Sequence, residues 1–140
     1  SLSFLATILV QLGAFGDVYS VEVINHTAPR PVAAKPGATA EYGDYLVKVG
    51  GCRTCHGKEL SGGKDPNPAA PLGPNVTPGG DVAKWSEADF LKAMRTGARP
   101  NSAPMTEFMP WKDIGKMSDD ELKAMWLYLQ SQPKLATTTK

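Results

Sequence analysis

The first sixteen residues, "SLSFLATILVQLGAFG", contain no charge, and the first Lys or Arg of the chain is Arg30. A helix from Leu2 to Gly16 would span about 22 Å, short of the roughly 30 Å of a bilayer's hydrocarbon core. Extending it to Ile24 supplies the length but takes in Asp17 and Glu22. The expectation for residues 1–24 is a membrane anchor or a helix docked on hydrophobic partner subunits. A secretory signal with Val18-Tyr19-Ser20 at its cleavage site and an ordinary buried helix are the alternatives. Residues 25–39, "NHTAPRPVAAKPGAT", hold three prolines and no hydrophobic period, which predicts an extended linker.

Beyond the linker the pattern changes to helical periodicity. Tyr42, Tyr45, Leu46 and Val49 fall at i, i+3, i+4 and i+7, a single stripe that runs toward Gly50 and Gly51. Ser86 with Asp89 forms a capping-box start for a helix carrying Phe90, Leu91 and Met94 and stopping at Gly97. Ser118 with Glu121 forms another, opening a helix with Leu122, Met125, Trp126 and Leu129 on one stripe and Pro133 at its end. Between the first two helices, residues 61–81 contain five glycines and five prolines, which predicts a long loop without regular structure. Long loops inside a small domain are commonly functional or wrapped around something. No repeat and no alternating strand pattern is present. The fold class is therefore all-α, with three main helices joined by Pro/Gly loops over residues 40–133 and a polar tail over 134–140.

Composition narrows the class of partner. With 15 Lys and Arg against 14 Asp and Glu, the formal charge of +1 provides no field for nucleic acid. About 100 residues of globular unit make a marginal core, one that a large apolar cofactor would strengthen.

The chemistry concentrates in "GGCRTCHGK", residues 50–58, which holds both cysteines of the chain. A tetrahedral zinc site wants four ligands, and only His26 and His56 are available beside Cys52 and Cys55. A redox dithiol expects a βαβ setting, which the pattern lacks. A disulfide closing so short a loop would stabilise little. C-x-x-C-H is instead the attachment signature of c-type haem, because two thiols on one helical turn can each form a thioether and the next side chain, His56, reaches the iron. A methionine is the usual second axial ligand. Met94 and Met125 lie on apolar stripes and read as core, and Met117 reads as part of a hydrophobic staple. Met105 and Met109, both in the loop "ARPNSAPMTEFMPW", remain as candidates.

On Cys52-Arg53-Thr54-Cys55-His56, the chain resembles the class I cytochrome c family over roughly residues 38–133. The resemblance of "FMPW" to the family's Met-Pro-aromatic element implies Met109 as the axial methionine, with Pro110 restricting its backbone. Gly73-Pro74-Asn75 resembles the family's Gly-Pro-Asn loop, which implies that the Pro74 carbonyl accepts a hydrogen bond from the axial histidine. The resemblance also implies that the first and last helices of the domain cross, with Gly43 allowing close approach and Tyr45 set against Trp126 and Tyr128.

The expected function is one-electron transfer through a single covalent haem c, with Cys52, Cys55, His56, Pro74 and Met109 forming its site. The partners would be redox proteins and subunits of a membrane respiratory or photosynthetic complex, such as a quinol-oxidising complex, an oxidase or a dehydrogenase. The haem domain would face the periplasmic side. The chain shows no paired carboxylates or nucleophile and base of its own to make it an enzyme. The alternative is a haem-based sensor or catalyst in which the methionine leaves to open the iron.

Overall fold

The computed structural model describes residues 4–12, 24–29, 32–100 and 102–138. The chain divides into two compact units, Ser1–Ala33 and Ala34–Lys140. In the first, helix α1 (Phe4–Gln11) is a run of eight residues without an acidic or basic end. Most of the remaining predicted apolar segment, residues 13–23, lies outside the described residues. Among the described residues no helix is long and apolar enough to cross a membrane. Within the predicted linker Val32 is exposed and residues 32–36 carry no regular secondary structure, and Ala34 packs on the core of the second unit.

The second unit is built on three helices, α2 (Ala40–Val49), α4 (Glu87–Thr96) and α6 (Asp119–Ser131), with two short ones between them, α3 (Cys52–His56) and α5 (Trp111–Ile114). Local chemistry accounts for the starts. Thr39 caps α2 by accepting from the Tyr42 N–H, and complete capping boxes, Ser86 with Asp89 and Ser118 with Glu121, open α4 and α6. Gly97, at φ 72°, ends α4 in the left-handed conformation that a side chain would disfavour.

Helices α2 and α6 form the central contact. A Cβ on Gly43 would lie 2.0 Å from the Ala124 carbonyl oxygen and 2.7 Å from Tyr128 Cβ, so the two backbones touch where glycine stands. That crossing determines which arc of α2 is buried. Tyr42, Gly43, Leu46 and Val47 face the core, whereas Tyr45 is 46% and Val49 60% exposed. The predicted stripe was thus displaced by part of a turn. Tyr45 stacks on Tyr42 with ring centroids 5.9 Å apart and does not enter the core. On α6 the predicted stripe of Leu122, Met125, Trp126 and Leu129 is buried in full, and Phe90 and Met94 meet it from α4.

The Gly/Pro stretch differs from the expectation of wholly irregular structure. It contains two three-residue strands, β1 (Ser61–Gly63) and β2 (Gly73–Asn75), paired antiparallel with Ser61 opposite Asn75 and Gly63 opposite Gly73. The glycines permit this pairing against α3: a Cβ on Gly73 would meet the Cys55 carbonyl oxygen at 2.0 Å. A further difference lies after α6. Residues 135–138, predicted as a polar tail outside the domain, hydrogen-bond to this strand pair: Thr138 N–H donates to Ser61 O at 2.8 Å and Asn75 Nδ2 to Leu135 O at 2.9 Å.

Candidate functional site

Helix α3 is only five residues long, and Gly51 starts it from a left-handed conformation at φ 65°. One helical turn places Cys52 and Cys55 on the same wall of a cavity, and His56 follows on that wall, buried at 7% exposure. The His56 ring is oriented by a hydrogen bond from Nδ1 to the Pro74 carbonyl oxygen at 2.8 Å. A carbonyl oxygen can only accept, so Nδ1 carries the proton and Nε2 keeps its lone pair. Burial pushes the His56 pKa below its ordinary value, with the Pro74 bond opposing, which favours the neutral imidazole that a metal ion requires. Gly73 lets strand β2 come close enough to α3 to make the contact.

The two thiols are held in their neutral form. Burial raises the Cys52 pKa, and Cys55 is pushed up to about 11, chiefly because its S–H donates to Asp65 Oδ2 at 2.7 Å. A redox dithiol requires a depressed thiol pKa, so these surroundings do not suit that chemistry. Arg53, between the cysteines, donates to Tyr128 Oη at 2.8 Å and to the Lys58 carbonyl, tying α3 to α6 and to the loop that follows it.

The cavity beside this wall measures about 310 Å³. Leu72, Val76, Val82, Phe90 and Leu129 make much of its lining apolar, and the loop between α4 and α5 adds Met105, Phe108 and Met109. That loop is closed at both ends. Met105 N–H donates to Gly97 O at 2.8 Å, and the Trp111 ring covers Gly97, where an added Cβ would lie 2.7 Å from the indole. Met109 is held on both sides of its own backbone. Its N–H donates to Thr106 O at 3.1 Å, and its carbonyl accepts from Trp111 N–H at 2.7 Å. Pro110, at φ −76° and ψ 48°, lies near the inverse γ-turn that this second bond closes.

All five residues singled out from the sequence therefore line one cavity, Cys52, Cys55, His56 and Pro74 from α3 and β2, Met109 from the loop after α4. Met105 lines it as well. Sequence reasoning missed Asp65, which receives the Cys55 thiol, and Asn75, whose buried side chain joins β2 to residues 135 and 137. Asp65 carried no signal, being an acid in a polar loop; Asn75 carried one, as the third residue of the Gly-Pro-Asn element.

Two thiols on one turn, an imidazole with its lone pair available, an apolar chamber and thioethers on the loop after α4 fit a covalently attached haem, and define the helical haem-binding domain of a c-type cytochrome. The family profile described as cytochrome c matches residues 40–133, and the chain belongs to that family. Membership implies covalently bound haem c. The chain is 29% identical over 101 residues to the cytochrome c subunit of alcohol dehydrogenase (quinone) from Gluconobacter oxydans (strain 621H), an alignment covering 65% of this chain and 21% of that one. It is 32% identical over 101 residues to the gluconate 2-dehydrogenase cytochrome c subunit of Pantoea cypripedii, covering 65% and 22%. With the fructose dehydrogenase cytochrome subunit of Gluconobacter japonicus it shares 27% over 119 residues, covering 77% and 24%. The chain thus spans under a quarter of the length of these relatives.

Proposed function

We propose that this domain is a one-electron carrier with one haem c, joined to Cys52 and Cys55 through thioether bonds and ligated by His56 and Met109. When bound, the haem supplies a one-electron iron couple. The observation that carries the reading is the His56–Pro74 contact: it fixes the imidazole with Nε2 as the lone-pair nitrogen, in a wall that shares its cavity with Met109. His56 would bind the iron through the Nε2 lone pair, and the Pro74 carbonyl orients the ring and raises its basicity through Nδ1–H. Met109, restrained on both sides by backbone hydrogen bonds, would offer its thioether sulfur as the second protein ligand. The apolar walls would keep water from a bound haem, and His56 and Met109 together would fill its two free positions, chemistry suited to electron transfer.

The relatives named as dehydrogenase cytochrome subunits support a place in such an assembly. In that role the domain takes electrons one at a time from a dehydrogenase partner and passes them to another redox carrier. We place it at the membrane with the haem domain on the periplasmic side, consistent with the apolar α1. The test is expression with the haem-attachment machinery, followed by denaturing extraction of haem. Wild-type protein retains haem through extraction, and Cys52→Ala with Cys55→Ala loses it. Haem extracted intact from the wild type would refute covalent attachment.

A further inference from the structure

Residues 135–138 cross both strands of the β1–β2 pair, and their contacts are made at fixed points. Asn75, 4% exposed, donates through Nδ2 to Leu135 O at 2.9 Å and to Thr137 Oγ1 at 3.3 Å. Its Oδ1 accepts from Thr77 N–H at 2.9 Å and Thr77 Oγ1–H at 2.7 Å. Thr138 N–H donates to Ser61 O at 2.8 Å, and the Thr138 and Ser61 hydroxyls are 3.0 Å apart. Gly79 lies against the same segment, where an added Cβ would be 1.8 Å from Leu135 O. Asn75 is the residue next to Pro74, and its strand partner is Ser61. The segment thus ties the two strands together at the Ser61–Asn75 end of the register that presents the Pro74 carbonyl to His56. It lies beyond residues 40–133, the part of the chain that the cytochrome c profile matches.

We propose that residues 135–138 act as a strap that, through Asn75 and Ser61, fixes the Pro74 carbonyl on His56 Nδ1–H and so tunes the donor strength of the axial histidine. The inference rests on the reading of His56 as an iron ligand. Asn75, the residue after Pro74 on the same strand, is the positioning residue, since it acts through the Pro74 carbonyl. A firm Nδ1–H···O bond increases electron donation from Nε2 and favours the oxidised iron; a loosened one has the opposite effect.

The test uses the haem-loaded full chain. Thr138→Pro removes the N–H that bonds Ser61 at an exposed position, and Gly79→Ala displaces the strap at Leu135 by a separate route. Each is compared with wild type by hydrogen exchange of His56 Nδ1–H in the reduced protein and by redox titration. The strap predicts exchange faster by about tenfold or more in both variants, together with a higher reduction potential. Loss of thermal stability alone, with exchange at His56 and the potential both unchanged, would overturn it. The wild-type visible spectrum separates this failure from that of the ligation reading. A histidine-ligated iron in wild type with unmoved variants sinks the strap alone, whereas a wild-type spectrum without histidine ligation sinks both.

Discussion

Replacing Gly43 by alanine tests the crossing on which the domain is built. The new Cβ would sit 2.0 Å from the Ala124 carbonyl oxygen and 2.6 Å from its carbon, both backbone atoms that no rotamer change can move. Ordinary carbon–oxygen contact would require the helices to part by more than an ångström. That separation would loosen Leu46, Val47, Leu122 and Trp126, all at or below 8% exposure. Overpacking of this kind costs about 1–3 kcal/mol, and a rigid backbone clash belongs at the upper end, about 3 kcal/mol. For a domain of about 100 residues that corresponds to a fall in Tm of roughly 12 °C or more. The assay is thermal unfolding of the haem-loaded chain followed by far-UV circular dichroism. Ala124→Gly in the same background should not rescue, because the obstacle is main chain. A Tm within about 2 °C of wild type, or rescue by Ala124→Gly, would refute the close approach.

Two further outcomes follow from hydrogen bonding. Asn75→Ala leaves the buried Thr77 N–H and hydroxyl without their acceptor and should cost about 1–3 kcal/mol, read by denaturant unfolding; an unchanged midpoint contradicts the role given to that side chain. The capping-box carboxylates set an acid limb. Hydrogen bonds from the Ser86 backbone and side chain lower the Asp89 pKa, and those from Ser118 lower that of Glu121. Their stabilisation is complete above the ordinary values of 3.8 and 4.5 and fades as pH falls through the lowered folded values. Glu121→Gln should therefore flatten the fall of Tm on acidification, and an unaltered profile would show that the cap does not titrate as described.

What could be read from the chain was what depends on neighbours in sequence. The Ser86 and Ser118 caps and the stop at Gly97 are local chemistry that the structure shows in place, and the C-x-x-C-H residues 52–56 form one short helix. The α2 stripe was misplaced because a 3.6-residue period selects a face only to within a residue. Gly43, with no side chain to count as apolar, in fact marks its centre. The β1–β2 pair was hidden by the glycines and prolines that make it possible. The strap was hidden because two of its contacts use the main-chain groups of Leu135 and Thr138, which any sequence would offer. Within the site, the Pro74 contact was foreseen through the family resemblance, whereas the Asp65 bond to Cys55 joins residues ten apart on either side of β1 and has no sequence signature.

The assignment of Met109 to the iron carries the account, since both Met105 and Met109 reach the cavity. The most direct measurement is carbon monoxide titration of the reduced protein at neutral pH, monitored in the visible spectrum, for wild type, Met105→Leu and Met109→Leu. Two filled axial positions predict that wild type and Met105→Leu stay low-spin and bind no carbon monoxide, while Met109→Leu turns high-spin and binds it readily. Carbon monoxide binding by the wild type would instead describe a haem that opens to a ligand, and binding by Met105→Leu alone would move the ligand four residues upstream.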